Sequence, residues 1–395
     1  MNLSKKGLAI EPSVTLEISA KAKILKDQGI DIISFSVGEP DFNTPLNIQD
    51  EGVRAIRTGL TKYTPASGIL ELKKAICQKF KNDNHLDYAP SNIIVSNGGK
   101  HSLYNALLAI LNPGDEVIVG VPYWVSYPEL INIAGGVPIF IETVEDNDFK
   151  YSVSDLEAVK TDKTKAIILN TPSNPTGSIY NEEELVEIAK WAVENNIFVI
   201  SDELYEKLIY DGKKHVTIAS LNDKIKDLTI IINGMSKAYA MTGWRIGYTA
   251  AHVDIIKVMS NIQSHTTSNP SSIAQYASVV GLLGDQKSIE DMRIQFDIRR
   301  KYMIETINLI NGLSCRKPEG AFYIMVNFTQ LKGKTIDGIK IDSSLDFSNL
   351  LLEKGRVAVV PGIAFGDDNY VRLSYATSME IIIEGLRRIK ETVEV

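Results

Sequence analysis

At 395 residues, 44% of them hydrophobic, the chain has core enough for two domains, and a net charge of −7 speaks against nucleic acid or an anionic membrane as its partner. No apolar run nears the ~20 residues a bilayer helix requires, and the first residues lack the apolar stretch of a signal peptide, so the cytoplasm is the expected compartment. Two cysteines, Cys77 and Cys315, are too few for a disulfide framework or a zinc site.

Short apolar strands alternate with amphipathic helices, the pattern of a mainly parallel sheet covered on both faces. Residues 13–29 predict a helix with Ser13 as its cap, and residues 32–37 a strand that stops at Gly38-Glu39-Pro40-Asp41. Gly38 reads equally well as a turn residue or as a bare amide placed to meet a carboxylate. Residues 63–68, beginning with Tyr63, form a loop before a helix that starts near Leu70. The strand at 93–96 runs through Asn97-Gly98-Gly99-Lys100 into a helix whose free amides make a nest for phosphate. That turn is a common one and carries neither dinucleotide nor P-loop spacing. The loop Val121-Pro122-Tyr123-Trp124-Val125-Ser126-Tyr127-Pro128 is rich in aromatics that can stack on a planar ligand or plug an interface.

A strand at 166–169 ends in Asn170-Thr171-Pro172-Ser173-Asn174-Pro175-Thr176-Gly177, where two X-Pro bonds, open to cis geometry, stiffen the loop that carries Asn174. After a helix at 181–195, the strand at 197–200 leads into Ser201-Asp202-Glu203-Leu204-Tyr205. Asp202 reads as a helix cap or as a buried carboxylate, and the latter demands a positive partner. The strand at 229–232 is stopped by Asn233-Gly234, which leaves Lys237 just past the carboxyl end of a central strand, where open α/β sheets hold their ligands. Arg245 follows beyond Thr242-Gly243. An amine and a guanidinium fork at one strand end suit a ligand with an aldehyde and a phosphate. Residues 252–284 and 286–310 predict two long helices, residues 320–326, 357–360 and 371–375 the strands of a second, smaller sheet, and a last helix starts at Glu380. Arg372 stands alone among apolar neighbours. The expected division is a large domain over 46–290 and a smaller α+β domain built from 1–45 and 291–395.

Strand ends at Gly99, Asn174, Asp202 and Lys237 should converge on one edge of the sheet. They offer a phosphate nest, an amide, a buried anion and an amine, the four things that pyridoxal 5′-phosphate needs. The segment Gly234-Met235-Ser236-Lys237 through Met241-Thr242-Gly243-Trp244-Arg245-Ile246-Gly247 resembles the lysine-attachment signature of the fold-type I, class I pyridoxal-phosphate-dependent aminotransferases. Gly38-Glu39-Pro40-Asp41-Phe42, Ser173-Asn174-Pro175-Thr176-Gly177 and Arg372-Leu373-Ser374-Tyr375-Ala376-Thr377-Ser378 are similar to that family too, and most similar to its bacterial-type aspartate aminotransferases, a branch that includes prephenate aminotransferases.

The resemblance implies an α/β fold with a mainly parallel seven-stranded sheet, and a role for each residue. Lys237 would be the Schiff-base lysine and the base that moves a proton from the substrate Cα. Asp202 would pair with the ring nitrogen, Asn174 and Tyr205 with the ring hydroxyl, and Trp124 would stack on the ring. Gly99 and Lys100 amides, Ser236 and Arg245 would hold the phosphate, and Tyr63 would reach the phosphate of a neighbouring subunit in a homodimer with shared sites. Arg372 would clamp the substrate α-carboxylate with the Gly38 amide and Asn174, while Thr15 and Lys100 would receive a second carboxylate. No metal is implied. Two positions depart from the pattern: Gly234 replaces a common Ser or Thr, and Glu11 replaces a lysine of the arm. The expected reaction is ping-pong transfer between aspartate and 2-oxoglutarate, with a β-lyase or a transaminase for other amino acids as rivals and a non-catalytic binding protein as a weaker one.

Overall fold

The computed structural model describes the chain except residues 9, 11–13 and 395 and the side chains of residues 5, 6, 14–17 and 19. Its larger sheet has seven strands in the order Ile93–Ser96, Gly247–Ala250, Thr229–Gly234, Phe198–Asp202, Thr164–Asn170, Glu116–Val121 and Val137–Glu142. All run in one direction except Gly247–Ala250, which is antiparallel to both its neighbours. Thr229–Gly234 is buried along its whole length, as expected of an unbroken isoleucine run in a strand covered on both faces.

Alternation along the strands divides the core in two. Ile168 and Ile200 pack with Leu103, Ile131 and Met259 on one face, whereas Ile167 and Val199 pack with Leu185, Ile188 and Trp191 on the other. Asn170 pairs in register with Asp202, and Asp202 with Ile232, so the carboxyl ends of three central strands lie level. A smaller antiparallel sheet orders Val360–Pro361, Tyr370–Ser374, Tyr323–Asn327 and Ser314–Cys315, and the helix Lys287–Ile307 packs against Met379–Val393 beside it.

Three expectations are corrected. Residues 252–284 form two helices, Val253–Thr266 and Ser272–Leu283, parted at Ser268-Asn269-Pro270. Pro270 has no amide hydrogen and pushes Asn269 away from helical geometry, and the Ser271 hydroxyl then caps the new helix. Of residues 32–37, only Ile33–Ser34 forms a strand, parallel to Val357–Ala358; from Phe35 the chain changes partner, the Phe35 carbonyl accepting from the Ser374 amide and the Ser36 carbonyl from Arg372. Residues 357–360 likewise divide between that pair and the four-stranded sheet. The helix Val14–Asp27 stands where expected, while its anticipated cap, Ser13, lies outside the described residues. Among the described residues no helix is long and apolar enough to cross a membrane.

Candidate active site

A cleft of about 350 Å³ opens at the level carboxyl ends, and the turn after Thr229–Gly234 carries Lys237 into it. Gly234 at that strand end leaves no room for a side chain, since a Cβ would lie 2.9 Å from the Ile246 carbonyl oxygen. The Lys237 Nζ donates to the Gly38 carbonyl and lies 5.8 Å from the rings of Tyr205 and Phe322. Burial, reinforced by the Arg372 charge, lowers its pKa to about 8 against the opposing pull of Glu39 and Asp202.

Asp202 ends its strand buried in the same cleft. It caps no helix: Oδ2 accepts from the Tyr127 hydroxyl at 2.8 Å and Oδ1 from the Leu204 amide at 3.3 Å. Burial raises its carboxyl to about 6 in spite of these bonds, and no cation among the described residues forms an ion pair with it. The Tyr205 hydroxyl shares a hydrogen bond of 2.9 Å with that of Tyr323.

The helix Gly99–Ile110 points its amino terminus at the cleft. Gly98 before it adopts φ 88°, and a Cβ there would lie 2.3 Å from the Arg245 guanidinium. A Cβ on Gly247 would lie 2.3 Å from the Gly98 carbonyl carbon, so two glycines let backbone and cation close around one anion-sized nest. Arg245 is oriented by a 2.8 Å bond to the Thr242 carbonyl, and Ser236 lines the same end. The Lys100 ammonium lies 5.0 Å above the Trp124 ring on a residue that solvent still reaches, and partial desolvation followed by the Arg245 charge lowers its pKa. Trp124 meets Tyr127 edge to face, with ring centroids 5.4 Å apart.

Arg372, only 3% exposed, stands on the opposite wall. It donates at 3.0 Å to the Asn174 side-chain oxygen and at 3.0 Å to the Ser36 carbonyl, between the rings of Tyr323 and Phe365. Its Nε is buried without a partner, no carboxylate among the described residues pairs with it, and burial lowers its pKa. Asn174 is fixed by its amide's 2.8 Å bond to Asn170 and lies between the cis peptides Thr171–Pro172 and Asn174–Pro175. Gly38 must be small, because a Cβ would lie 2.9 Å from the Tyr323 hydroxyl.

Eleven of the anticipated residues therefore meet in one cleft. Tyr63 is 93% exposed and lies outside this chain's own cleft. The Thr15 side chain and Glu11 lie outside the described residues. Sequence reasoning gave no role to Tyr127, Tyr323 or the 2.7 Å bond from Thr242 to Glu39 at the mouth. Tyr127 was within reach, three residues after Trp124 at the start of the helix Tyr127–Ala134. Tyr323 sits in a regular apolar strand and announces nothing locally.

Known proteins resemble this chain in sequence and in fold. The sequence matches the family described as aminotransferase class I and II over residues 30–389. It is 50% identical over 395 residues to an aspartate aminotransferase of Bacillus subtilis, spanning 100% of this chain and 99% of the relative. It is 46% identical to an aspartate/prephenate aminotransferase of Nitrosomonas europaea over 98% of this chain and 99% of that one. Among solved structures, the aspartate aminotransferase of Rhizobium meliloti superimposes with a TM-score of 0.97 at 41% identity, covering 100% of this chain and 99% of that one. That of Thermus thermophilus with maleate gives a TM-score of 0.94 at 39% identity, covering 99% and 100%. Identity this high along the full length carries the fold and the chemistry class together: the chain belongs to the class I and II aminotransferases.

Proposed function

We propose that the chain transfers the amino group of aspartate to 2-oxoglutarate, using pyridoxal 5′-phosphate held in this cleft. The observation that carries the reading is a buried Arg372 that no carboxylate among the described residues pairs with, in one cleft with a half-buried lysine of lowered pKa and a buried carboxylate. The residues fit the cofactor. The nest at Gly98, Gly99 and Arg245 suits a phosphate, Asp202 a ring nitrogen, Asn174 and Tyr205 a ring hydroxyl, and Lys237 an aldehyde. When bound, the cofactor supplies an electron-accepting ring that stores the amino group between two half-reactions.

The rest of the work falls to the chain's own side chains. Arg372 grips the substrate α-carboxylate as a fork, with Asn174 and the Gly38 amide beside it, and so fixes which Cα bond faces Lys237. Lys237 takes the proton from that Cα; with a pKa near 8 it sits close to neutrality, where a base both accepts and releases. Asp202, oriented by the Tyr127 hydroxyl that it accepts from, would present a carboxylate that keeps a proton on the ring nitrogen. Aspartate is the favoured donor because relatives named for it are 46–50% identical, and because Lys100 lies beside Trp124, where a second carboxylate would reach it.

A second reading, prephenate as acceptor, has support from relatives named aspartate/prephenate aminotransferases. Glu11, where the branch carries a lysine, weighs against it. We further propose a homodimer in which Tyr63 reaches the partner's phosphate, a cytoplasmic location, and the division at 46–290. Steady-state assays of aspartate, alanine and aromatic donors against 2-oxoglutarate, oxaloacetate and prephenate test the assignment. Faster turnover of any other pair than of aspartate with 2-oxoglutarate would overturn it.

A further inference from the structure

The turn that follows the strand Phe198–Asp202 has two faces. Asp202, Leu204 and Tyr205 line the cleft, whereas Glu203 and Glu206 are buried outside its lining. Two carboxylates buried within three residues are costly unless each is fully bonded. Both are. Glu203 accepts from the Ser201 hydroxyl at 2.8 Å, the Thr217 hydroxyl at 2.5 Å and His215 Nε2 at 2.9 Å. Glu206 pairs with the Lys79 ammonium, whose side chain is 2% exposed, and accepts from the Asn84 amide at 3.0 Å. Lys79 donates in turn to Asn84 at 2.7 Å. Burial would raise the Glu206 carboxyl, yet Lys79, His215 and Lys207 bring it down to about 2.

Lys79 and Asn84 belong to the helix Leu70–Asn84, and Thr217 precedes the short helical turn Ile218–Ser220, so the turn is tied from behind to two separate elements. Glu203, Glu206 and His215 also come close enough to share a cation, but Lys79 already takes one Glu206 oxygen and three donors satisfy Glu203.

We propose that Glu203 and Glu206 are positioning residues, a brace that holds Asp202 and Tyr205 at fixed depth for the cofactor ring. This rests on the reading that the cleft takes pyridoxal phosphate. A side chain that only stabilised the fold would act on stability and cofactor binding in proportion. A brace separates them, because its effect is on where two neighbours sit.

The experiment compares wild type with Glu206→Met, with Glu206→Met/Lys79→Met and with Thr217→Val, which thins the bonds to Glu203 without changing charge. For each, the apoprotein's melting temperature, its affinity for added pyridoxal phosphate, the pH midpoint of the holoenzyme's visible band and KM for aspartate are measured. Glu206→Met strands the Lys79 charge and should lower the melting temperature as well as weaken cofactor binding, about tenfold. The double variant removes that charge, so the melting temperature should recover while the weakened affinity and displaced band midpoint persist. Thr217→Val should displace both in the same direction by less. KM should hardly move, because Arg372 and Asn174 are not on the turn. Should Glu206→Met not fold, the double variant and Thr217→Val still decide the matter. Affinity and band midpoint that follow the melting temperature in every variant, or that stay at wild-type values in the double variant, would overturn the brace. Wild-type protein that takes up no pyridoxal phosphate would overturn the reading of the cleft, and the brace with it.

Discussion

The protein buries cations in two settings. Arg300 and Lys79 are satisfied by their own chain: Arg300 bonds Asp297 at 2.6 Å, Asp211 at 2.9 Å and the Pro318 carbonyl at 2.6 Å, and Lys79 pairs with Glu206. Arg372 is as deeply buried and Lys237 half-buried, and both have backbone or amide oxygens and aromatic faces but pair with no carboxylate among the described residues. Their pKa values follow. That of Arg300 is raised by its two aspartates against the effect of burial, whereas those of Arg372 and Lys237 are lowered, chiefly by burial. A buried charge left without its counter-charge costs several kcal/mol, which a fold tolerates where a ligand will supply the missing partner. The cleft is thus distinguished less by what it contains than by what its cations lack.

The largest effects should come from breaking the unpaired side of that contrast at its reactive member. Lys237→Ala should abolish amino transfer while leaving the melting temperature close to wild type, because it removes a charge that was unpaired. Borohydride reduction in the presence of pyridoxal phosphate should then leave no adduct on the protein, and an adduct formed all the same would place the reactive amine elsewhere.

Arg300→Met tests the paired side. Asp297 and Asp211 keep Lys301 and Lys317, so what is lost is the guanidinium's own bonds, including that to the buried Pro318 carbonyl, at a cost of about 3 kcal/mol in urea unfolding. Cofactor affinity should stay at the wild-type value. A variant as stable as wild type would show that these ion pairs are no part of the frame.

Arg372→Lys keeps the charge but loses the fork, and should cost about 2–5 kcal/mol in kcat/KM, alike for every amino donor. A loss confined to aspartate would mean that Arg372 reads the side chain rather than the α-carboxylate.

The pH dependence sharpens the contrast further. Capture of an aldehyde needs the neutral amine, so uptake of pyridoxal phosphate by the apoprotein should be fast above pH about 8 and fall as the pH drops through it. Arg372→Leu removes a nearby positive charge and should move that midpoint upward. A midpoint unmoved, or moved down, would exclude coupling between the two unpaired cations.

How much of this the sequence carried depended on whether a partner lay nearby. Lys237, Asp202, Asn174 and Gly99 were legible because each ends a strand or follows shortly after one, and strand ends in such a sheet converge. Arg372 was legible as one charge in an apolar strand, although its lack of an anion was not. The paired cations were opaque. Lys79 looks like any helix lysine, and Glu206 meets it and Asn84 only across a long stretch of chain. Tyr323 was hidden for the same reason: its contacts with Arg372 and Tyr205 are made by tertiary packing alone. The break at Pro270 was local and readable, and an otherwise continuous apolar period masked it.

Substrate choice should show the smallest effects, because it turns on a cation that solvent partly reaches. Lys100 is exposed at the mouth of the cleft and has a ring beneath it rather than a carboxylate beside it. If it receives the second carboxylate of aspartate and 2-oxoglutarate, Lys100→Met should weaken both by about 1 kcal/mol, the scale of a solvent-screened ion pair, and leave alanine unchanged. Equal loss for alanine would mean that Lys100 serves the phosphate end instead, where Arg245 already acts on it. If the arm meets the substrate as the resemblance implies, Glu11 should work against a larger dicarboxylate through like-charge repulsion, also about 1 kcal/mol when screened by solvent. Prephenate should therefore be a poor acceptor that Glu11→Lys improves several-fold, with the aspartate and 2-oxoglutarate rates little changed because these shorter acids reach Lys100 without the arm. Raising the salt concentration should shrink the gap between the two proteins, since only a screened, exposed charge responds in that way. Wild-type prephenate turnover equal to that with 2-oxoglutarate would leave Glu11 with no part in selection.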